Sequence, residues 1–404
     1  MHSEGGTAPA AAAPAAPQAP PQAAHWPRVI GQRRVKEALR SALKSGRLAH
    51  AYLFYGEEGV GKDAVALELA RVIRCERGGE EACGECPSCV RMASLQHPDV
   101  RLICALPRGA QEKDDDEPMA RLSEADVRGV REQIALKAAD PYHRIQVPRA
   151  NVIKINSIRE IRRESVLTTT DRRRRVYIIS GADSMNDAAA NTLLKTLEEP
   201  PGDTMLILTT AHRDALLPTI LSRCQNIRFD PLAEEEIRDA LLARGVAGAD
   251  QAPLLARLAG GSYTRARELA SGDLTAQRAD VVDFVRKAIG GRMLELLELI
   301  ERMAETKERD VHTRFLTLML FWFRDALVLR HGAAVVNVDQ TAELKSFVEK
   351  FPGADLVRAL ADVEDAISLV DRYTYIKLVL AQLAVRLRAA ILGSTVSAEG
   401  VPTP

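Results

Sequence analysis

The chain is 404 residues long, with 46% hydrophobic and 27% charged residues, and its 55 basic residues balance 55 acidic ones. This length exceeds one ordinary compact domain, so we expect two or three domains. The zero formal net charge excludes a uniformly basic nucleic-acid binder, and leaves any DNA contact to a local patch or to a partner.

The N-terminal sequence gives no sign of export. Its first ten residues, MHSEGGTAPA, lack the basic start and apolar core of a secretory signal, and no apolar run approaches the length of a membrane span. We therefore expect a cytoplasmic protein with no membrane partner. Residues 5–24 are almost entirely Ala, Pro and Gln, which predicts a disordered tail over 1–25 and folded sequence from Trp26.

Strands and helices alternate in the next part of the chain. The predicted helices cover residues 35–48, 63–73 and 188–197, and the predicted buried strands cover 51–55, 176–180 and 205–209. This alternation predicts an α/β domain over 26–230, with a parallel sheet and flanking helices. Residues 107–148 interrupt it with the acidic run KDDDE and a helix that starts at Ser123-x-x-Asp126, which we interpret as a surface insertion of unknown role.

The pattern after Pro231 is almost wholly helical. Apolar residues recur at helical spacing, and few strand signals remain. We expect a small helical domain over 231–275 and a larger helical bundle over 276–394. Residues 395–404 are expected to form a loose tail.

A phosphate-binding loop is predicted at residues 56–62. The sequence GEEGVGK matches G-x-x-x-x-G-K between a strand and a helix, where glycine N–H groups, the helix N-terminus and a lysine attract phosphates. The nucleotide-binding candidates are Gly56, Gly59, Val60, Gly61, Lys62 and Asp63.

Two parts of a hydrolytic site are missing from this loop and its surroundings. Asp63 stands where Ser or Thr would place a hydroxyl on Mg²⁺. Ser180 and Gly181 stand where an acidic pair should end a later strand, and the nearest carboxylate is Asp183. The sequence thus predicts the fold of an ATPase with damaged chemistry, and leaves open whether ATP binds without hydrolysis.

Four cysteines form a predicted metal site. Cys75, Cys83, Cys86 and Cys89 have the spacing C-x₇-C-x₂-C-x₂-C, which suits a closed tetrahedral zinc site of structural type. Zinc would hold together the glycine-rich module 75–89, which has almost no core of its own. A redox Cys-x-x-Cys pair or free thiols are the alternatives. Cys104 and Cys224 are single and expected to be buried.

A basic helix is predicted over residues 157–163. Arg159 and Arg162 would share one face, with isoleucines beside them toward the core. Contact with DNA phosphates is one interpretation, and ion pairs with Glu160 or Glu164 are the other. The four arginines at 172–175 precede a strand and are interpreted as a solvated turn.

Five segments resemble the AAA+ clamp-loader family of bacterial DNA polymerase III. They are IGQ at 30–32, HAYLFYGEEGVGK at 50–62, HPDV at 97–100, NTLLKTLEEP at 191–200 and PTILSRC at 218–224. The resemblance implies an AAA+ P-loop domain followed by a helical lid and an all-α collar domain. It also supports the zinc module, because similar modules occur in the family, and it implies that the 157–163 helix faces DNA.

The resemblance further implies a hetero-pentamer with gamma/tau and delta subunits, which loads a sliding clamp onto primed DNA at the replisome. Ser222, Arg223 and Cys224 match the family's SRC motif, so Arg223 would act as an arginine finger in the ATP site of a neighbouring subunit. An ordinary surface arginine is the alternative. With Asp63 and Ser180 in place, the chain is expected to be a stator subunit without ATPase activity of its own.

Two other functions stay open from the sequence. An active gamma/tau-like motor would tolerate Asp63 and use Asp183 in place of the missing acids, and ATPase activity of the isolated chain would distinguish it. A AAA+ protein of repair or recombination is a third interpretation, which the LEEP and SRC strings disfavour and co-purification with clamp-loader subunits would test.

Overall fold

The fold is described from a computed structural model over residues 26–165, 173–306, 309–337, 340–371 and 374–393. The two predicted tails, 1–25 and 395–404, lie outside the described residues, as does Arg172 of the basic run. Within the described ranges, no helix combines the length and the apolar character that crossing a membrane requires.

One parallel sheet organises the first half of the chain. Its strands are β1 (Ala51–Tyr55), β2 (Val100–Ile103), β3 (Arg175–Ser180), β4 (Thr204–Thr210) and β5 (Gln225–Arg228), in the order β2-β3-β4-β1-β5. Every neighbouring pair is parallel. The predicted parallel α/β sheet is thereby confirmed.

The sheet is buried on both faces, which explains why its central strands are continuous apolar runs. In β1, Tyr52 and Phe54 join one core, whereas Ala51 and Leu53 join the core on the opposite face. The same alternation in β3 and β4 assigns successive side chains to opposite cores. Helices therefore have to cover both sides.

In the described part of the first half of the chain, seven α-helices accompany the sheet. They are α1 (Arg33–Lys44), α2 (Lys62–Arg74), α3 (Pro87–Ala93), α4 (Glu124–Ala139), α5 (Ile155–Ser165), α6 (Asp187–Glu198) and α7 (Pro218–Leu221). Helix α1 ends earlier than residue 48, where the sequence predicted, because Ser45 caps it and Gly46 takes a positive φ of 67°. Helix α4 starts as predicted, with the Ser123 side chain accepting the Asp126 N–H.

The described residues after β5 form helices joined by loops, as predicted. Its helices are α8 (Glu234–Ala243), α9 (Ala252–Leu258), α10 (Tyr263–Ala270), α11 (Leu274–Gly290), α12 (Met293–Glu305), α13 (Arg309–Arg330), α14 (Thr341–Lys350), α15 (Leu356–Asp371) and α16 (Ile376–Leu392). Their apolar side chains extend the core on the Tyr52 side of the sheet. The division into domains at residues 231 and 276 stays a prediction.

Candidate functional site

The predicted phosphate loop borders a cleft at the carboxyl ends of β1, β3 and β4. The cleft has a volume of about 570 Å³, and Gly59, Gly61, Lys62 and Asp63 line it. This is the edge of an open parallel sheet where ligands commonly bind. Gly56 and Val60 are not among the described residues that line the cleft: Val60 is fully buried in the core, and Gly56 packs against the Phe229 carbonyl.

Two loop glycines are required because other groups approach them closely. Gly59 has φ 79°, and a Cβ there would lie 2.0 Å from the Ser262 hydroxyl oxygen. Gly61 has φ 103°, and a Cβ there would lie 2.8 Å from the Tyr142 hydroxyl oxygen. The loop is therefore covered by side chains of this same chain.

Lys62 turns back onto its own loop. Its ammonium donates hydrogen bonds to the carbonyl oxygens of Gly56 at 2.8 Å and Glu57 at 2.5 Å. Burial lowers the pKa of Lys62, and the charges of Asp63 and Glu58 oppose that effect. The charge that would bind a nucleotide phosphate is thus engaged by backbone carbonyls.

Asp63 is the centre of a polar cluster in the cleft. Its carboxylate pairs with the Lys137 ammonium at 2.7 Å and accepts hydrogen bonds from Ser180 at 2.8 Å and Thr209 at 2.7 Å. Burial raises the pKa of the Asp63 carboxyl, but the Lys137 charge and these hydrogen bonds outweigh it and lower the pKa to about 2. The carboxylate is therefore ionised and held by groups of the chain itself.

Among the described residues at the end of β3, Ser180 and Gly181 occupy the positions of the missing acidic pair, and Asp183 is the nearest carboxylate in the sequence. Asp183 lines the cleft, but its carboxylate accepts a hydrogen bond from the Thr210 hydroxyl at 2.7 Å. The cleft retains the shape of a P-loop site without its metal-activating groups.

Arg223 lies just after α7, away from the cleft. Its guanidinium pairs with Glu198 at 2.7 Å and donates to the Thr219 carbonyl oxygen at 3.1 Å, and 36% of its side chain is exposed. The adjacent Ser222 hydroxyl also donates to the Thr219 carbonyl oxygen, and burial raises the pKa of Cys224 to about 12. Arg223 is accessible from outside and is not among the described residues lining the chain's own cleft.

Helix α5 has the orientation that the sequence predicted. Ile158 and Ile161 are fully buried toward the sheet, and Arg159 and Arg162 lie on its outer side. The carboxylate that pairs with Arg159, at 2.9 Å, belongs to Asp115 of the acidic run.

The alternative of an ion pair between Arg159 and Glu160 or Glu164 was therefore wrong. Glu164 pairs with Arg101 at 2.5 Å instead. The same Asp115 also pairs with Arg163 at 3.4 Å. The acidic insertion folds back over the basic helix, a long-range contact that the local spacing of α5 could not indicate.

The four predicted cysteines come together as one cluster. Their sulfur atoms all lie within 4.8 Å of one another, and none of the four forms a disulfide. Cys75 ends α2 and Cys86 caps α3, so two helix ends fix the cluster. Cys83 and Cys89 sulfurs are 3.9 Å apart, close to the separation of about 3.8 Å implied by tetrahedral zinc with Zn–S bonds near 2.3 Å.

Backbone N–H groups point at these sulfurs, as a thiolate site requires. Cys83 N–H donates to the Cys75 sulfur and Cys86 N–H to the Cys83 sulfur, both at 3.3 Å. Hydrogen bonds from the N–H groups of Glu85 and Cys86 lower the pKa of Cys83 to about 6, whereas burial raises the pKa of Cys89 to about 12. The donor set fits a metal ion held by four cysteines.

Lys137 and Tyr142 are among the cleft residues that sequence reasoning missed. Both come from the insertion and line the cleft beside Asp63 and Gly61. Lys137 lies in the last turn of α4 and Tyr142 follows Pro141, so neither belongs to a recognisable motif. A long-range contact of this kind has no local signal in a single sequence.

Comparison with known proteins gives a consistent result. The family model described as "DNA polymerase III, delta subunit" matches residues 31–233, and the one described as "DNA polymerase III, delta subunit, C terminal" matches residues 273–388. The chain is 32% identical over 303 residues to DNA polymerase III subunit delta' of Bacillus subtilis, which covers 74% of this chain and 78% of that protein.

More distant relatives fall into two groups. DNA polymerase III subunit delta' of Escherichia coli is 28% identical over 331 residues, covering 81% of this chain and 84% of that protein. DNA polymerase III subunit gamma/tau of Mycobacterium tuberculosis is 28% identical over 335 residues, covering 76% of this chain and 50% of that protein. Relatives named delta' are thus matched over more of their length than this relative named gamma/tau.

Proposed function

Because this chain belongs to the delta' family of DNA polymerase III subunits, we propose that it is the stator of a bacterial clamp loader. It is a clamp-loader subunit of DNA polymerase III. In this role it joins gamma/tau and delta subunits in a hetero-pentamer and helps to load a sliding clamp onto primed DNA. It hydrolyses no ATP itself.

The observation that carries the stator function is the state of Asp63. A motor subunit needs a hydroxyl at this position and a carboxylate at the end of β3, so that Mg²⁺ and the attacking water are held. In this chain position 63 carries a carboxylate instead of a hydroxyl. The Asp63 carboxylate pairs with Lys137 and accepts hydrogen bonds from Ser180 and Thr209. The gamma/tau-like motor function is disfavoured for the same reason, since Asp183 is engaged by Thr210.

The contribution to catalysis that we propose is made in trans by Arg223. Its exposed position after α7, outside the chain's own cleft, supports a contact with a neighbouring subunit. A guanidinium placed against the transferring phosphoryl group stabilises the charge of the transition state, and such fingers accelerate hydrolysis by about 10³–10⁵. In the isolated chain, the Arg223 guanidinium pairs with Glu198. On assembly, it would leave Glu198 and bind the transferring phosphoryl group in the neighbouring subunit.

We assign zinc to the four-cysteine cluster. Its four sulfur donors leave no position for water, so the ion would be structural. Cys75, Cys83, Cys86 and Cys89 would bind it and would tie the end of α2 to the start of α3. We also propose that Arg159 and Arg162 of α5 contact DNA phosphates inside the assembled loader, as their outer position on the helix permits.

The experiment that tests this function uses the reconstituted loader with Arg223→Ala. We expect an intact complex whose clamp loading onto primed DNA falls by about tenfold or more, because one ATP site lacks its finger. Arg228→Ala is the matched control: this arginine is exposed, forms an ion pair with Asp230 and follows Arg223 by five residues. Normal loading by Arg223→Ala, or an equal loss in both variants, would contradict the finger.

A further inference from the structure

The insertion between β2 and α5 enters the P-loop cleft. Within it, α4 delivers Lys137 and the following turn delivers Tyr142, and both residues are buried. The insertion is therefore more than a surface excursion, and its two cleft residues contact the parts of the site that a bound nucleotide would need.

Lys137 pairs with the residue that follows the loop lysine. Its ammonium is 2.7 Å from a carboxylate oxygen of Asp63 and donates to the His143 carbonyl oxygen at 2.8 Å. Asp63 follows the loop lysine directly, and the residue at that position is the one that binds Mg²⁺ in P-loop proteins. A single ammonium charge thus stands against the residue that would otherwise bind Mg²⁺.

Tyr142 joins the loop to the helices that follow the sheet. Its hydroxyl accepts the Ile30 N–H at 2.8 Å, and its ring meets the Tyr263 ring edge-on at 4.9 Å. Its carbonyl oxygen accepts a hydrogen bond from the Thr264 hydroxyl at 2.9 Å. The Arg244 guanidinium lies about 5 Å from both rings, at 5.2 and 5.1 Å.

Helix α10 also contacts the loop directly. The Tyr263 N–H donates to the Gly59 carbonyl oxygen at 3.1 Å, and the Ser262 side chain fills the space beside that glycine. With Tyr142 on the other side, α10 is connected to the P-loop through contacts that need no nucleotide. The burial of these groups makes the connection stable.

We propose that Lys137 and Tyr142 act as an internal ligand of the P-loop cleft. Lys137 supplies the cation in place of Mg²⁺, and Tyr142 bridges the loop to α10 in place of a nucleotide. The cleft then excludes Mg·ATP, and α10 keeps one position against the sheet whether or not ATP is present. This inference extends the proposed stator function, but it concerns the isolated chain and does not depend on Arg223.

The test compares the wild-type chain with Lys137→Met and Tyr142→Ala, singly and together. Arg131→Ala is the matched control, because Arg131 is exposed on the same helix as Lys137. Two quantities are measured: binding of ATP with Mg²⁺ by calorimetry, and hydrogen exchange of the amides of α10. Tyr142→Phe is added because it removes only the hydroxyl that accepts the Ile30 N–H.

We expect no Mg·ATP binding at millimolar concentration by the wild type or the control, and slow exchange in α10 for both. The double variant should exchange α10 amides about tenfold faster or more and should gain measurable affinity for Mg·ATP. Tyr142→Phe should speed exchange of the Ile30 amide alone.

Three results would overturn the inference. They are Mg·ATP binding by the wild type, variants whose α10 exchange equals that of the control, and an Ile30 amide that Tyr142→Phe leaves unchanged. If the double variant does not fold, Mg·ATP binding by the wild type and exchange of the Ile30 amide in Tyr142→Phe still test the inference. If Arg223→Ala did not impair the assembled loader, the proposed finger would be wrong, but the results expected here for the isolated chain would not change.

Discussion

Removal of the Asp63 carboxylate should destabilise the chain strongly, because a buried ammonium would lose its partner. The Lys137 side chain is only 5% exposed and the Asp63 side chain 20%. Breaking such a pair by removing one partner costs about 3–5 kcal/mol, whereas replacing both partners with apolar or neutral groups costs much less. We therefore expect Asp63→Asn to lose about 3–5 kcal/mol at pH 7, and Asp63→Asn with Lys137→Met to lose about 1 kcal/mol or less.

The pH dependence gives a second estimate of the same interaction. The pKa of Asp63 is lowered from 3.8 to about 2, which corresponds to roughly 2 kcal/mol of stability in the ionised state. Because the folded pKa is the lower one, this contribution is fully present above the unfolded value of 3.8 and is lost as the pH falls toward 2. The difference between wild type and Asp63→Asn should shrink over that range.

Urea unfolding of the four proteins of this double-mutant cycle, followed by tryptophan fluorescence at pH 7, measures the coupling. We expect a favourable coupling energy of about 2 kcal/mol or more between positions 63 and 137. A double variant as unstable as the sum of the single variants would show that the two charges do not support each other. That result would refute the pairing of Asp63 with Lys137 on which the proposed internal ligand depends.

Three further outcomes are expected. Metal analysis should find about one zinc ion per chain in the wild type and in the control Cys104→Ala. Cys83→Ser should lose the zinc, and residues 75–89 should then become sensitive to proteolysis. Equal zinc content in the two variants would contradict the site. Asp115→Asn should release Arg159 of α5 from its ion pair and steepen the salt dependence of DNA binding by the assembled loader by up to about one unit. An unchanged slope would contradict the proposed phosphate contact of Arg159. Glu198→Gln should change the free energy of unfolding by no more than about 0.5 kcal/mol and leave clamp loading at or above the wild-type rate. Loss of loading would mean that Glu198 positions Arg223 for the contact with the neighbouring subunit and does more than pair with it in the isolated chain.

The part of the fold that the sequence revealed is the part with strong local patterns. Strands β1, β3 and β4 are apolar runs with both faces covered, and each was predicted to within one residue at either end. Strands β2 and β5 were not predicted, because each has only four residues and carries charged or amide side chains, such as Arg101 and Asn226. Their pairing with neighbours, rather than their own sequence, makes them strands.

In the candidate site, too, the features that could be predicted are those whose residues are close together in the sequence. The P-loop and the cysteine cluster were found because their residues lie close together in sequence at spacings set by chemistry. The partners of Asp63 were not found, since Lys137, Ser180 and Thr209 come from three separate elements. Asp63 was recognised as a departure from the P-loop pattern, but only the fold shows what neutralises its charge.

Steady-state ATP hydrolysis by the purified chain, with Mg²⁺ and primed DNA and beside a Lys62→Ala control, tests the central claim most directly. A stator whose Lys62 and Asp63 are engaged by other groups of the chain should show no turnover above the control. Turnover that disappears in Lys62→Ala would mean that the chain hydrolyses ATP despite Asp63 and Ser180, and would contradict the stator function.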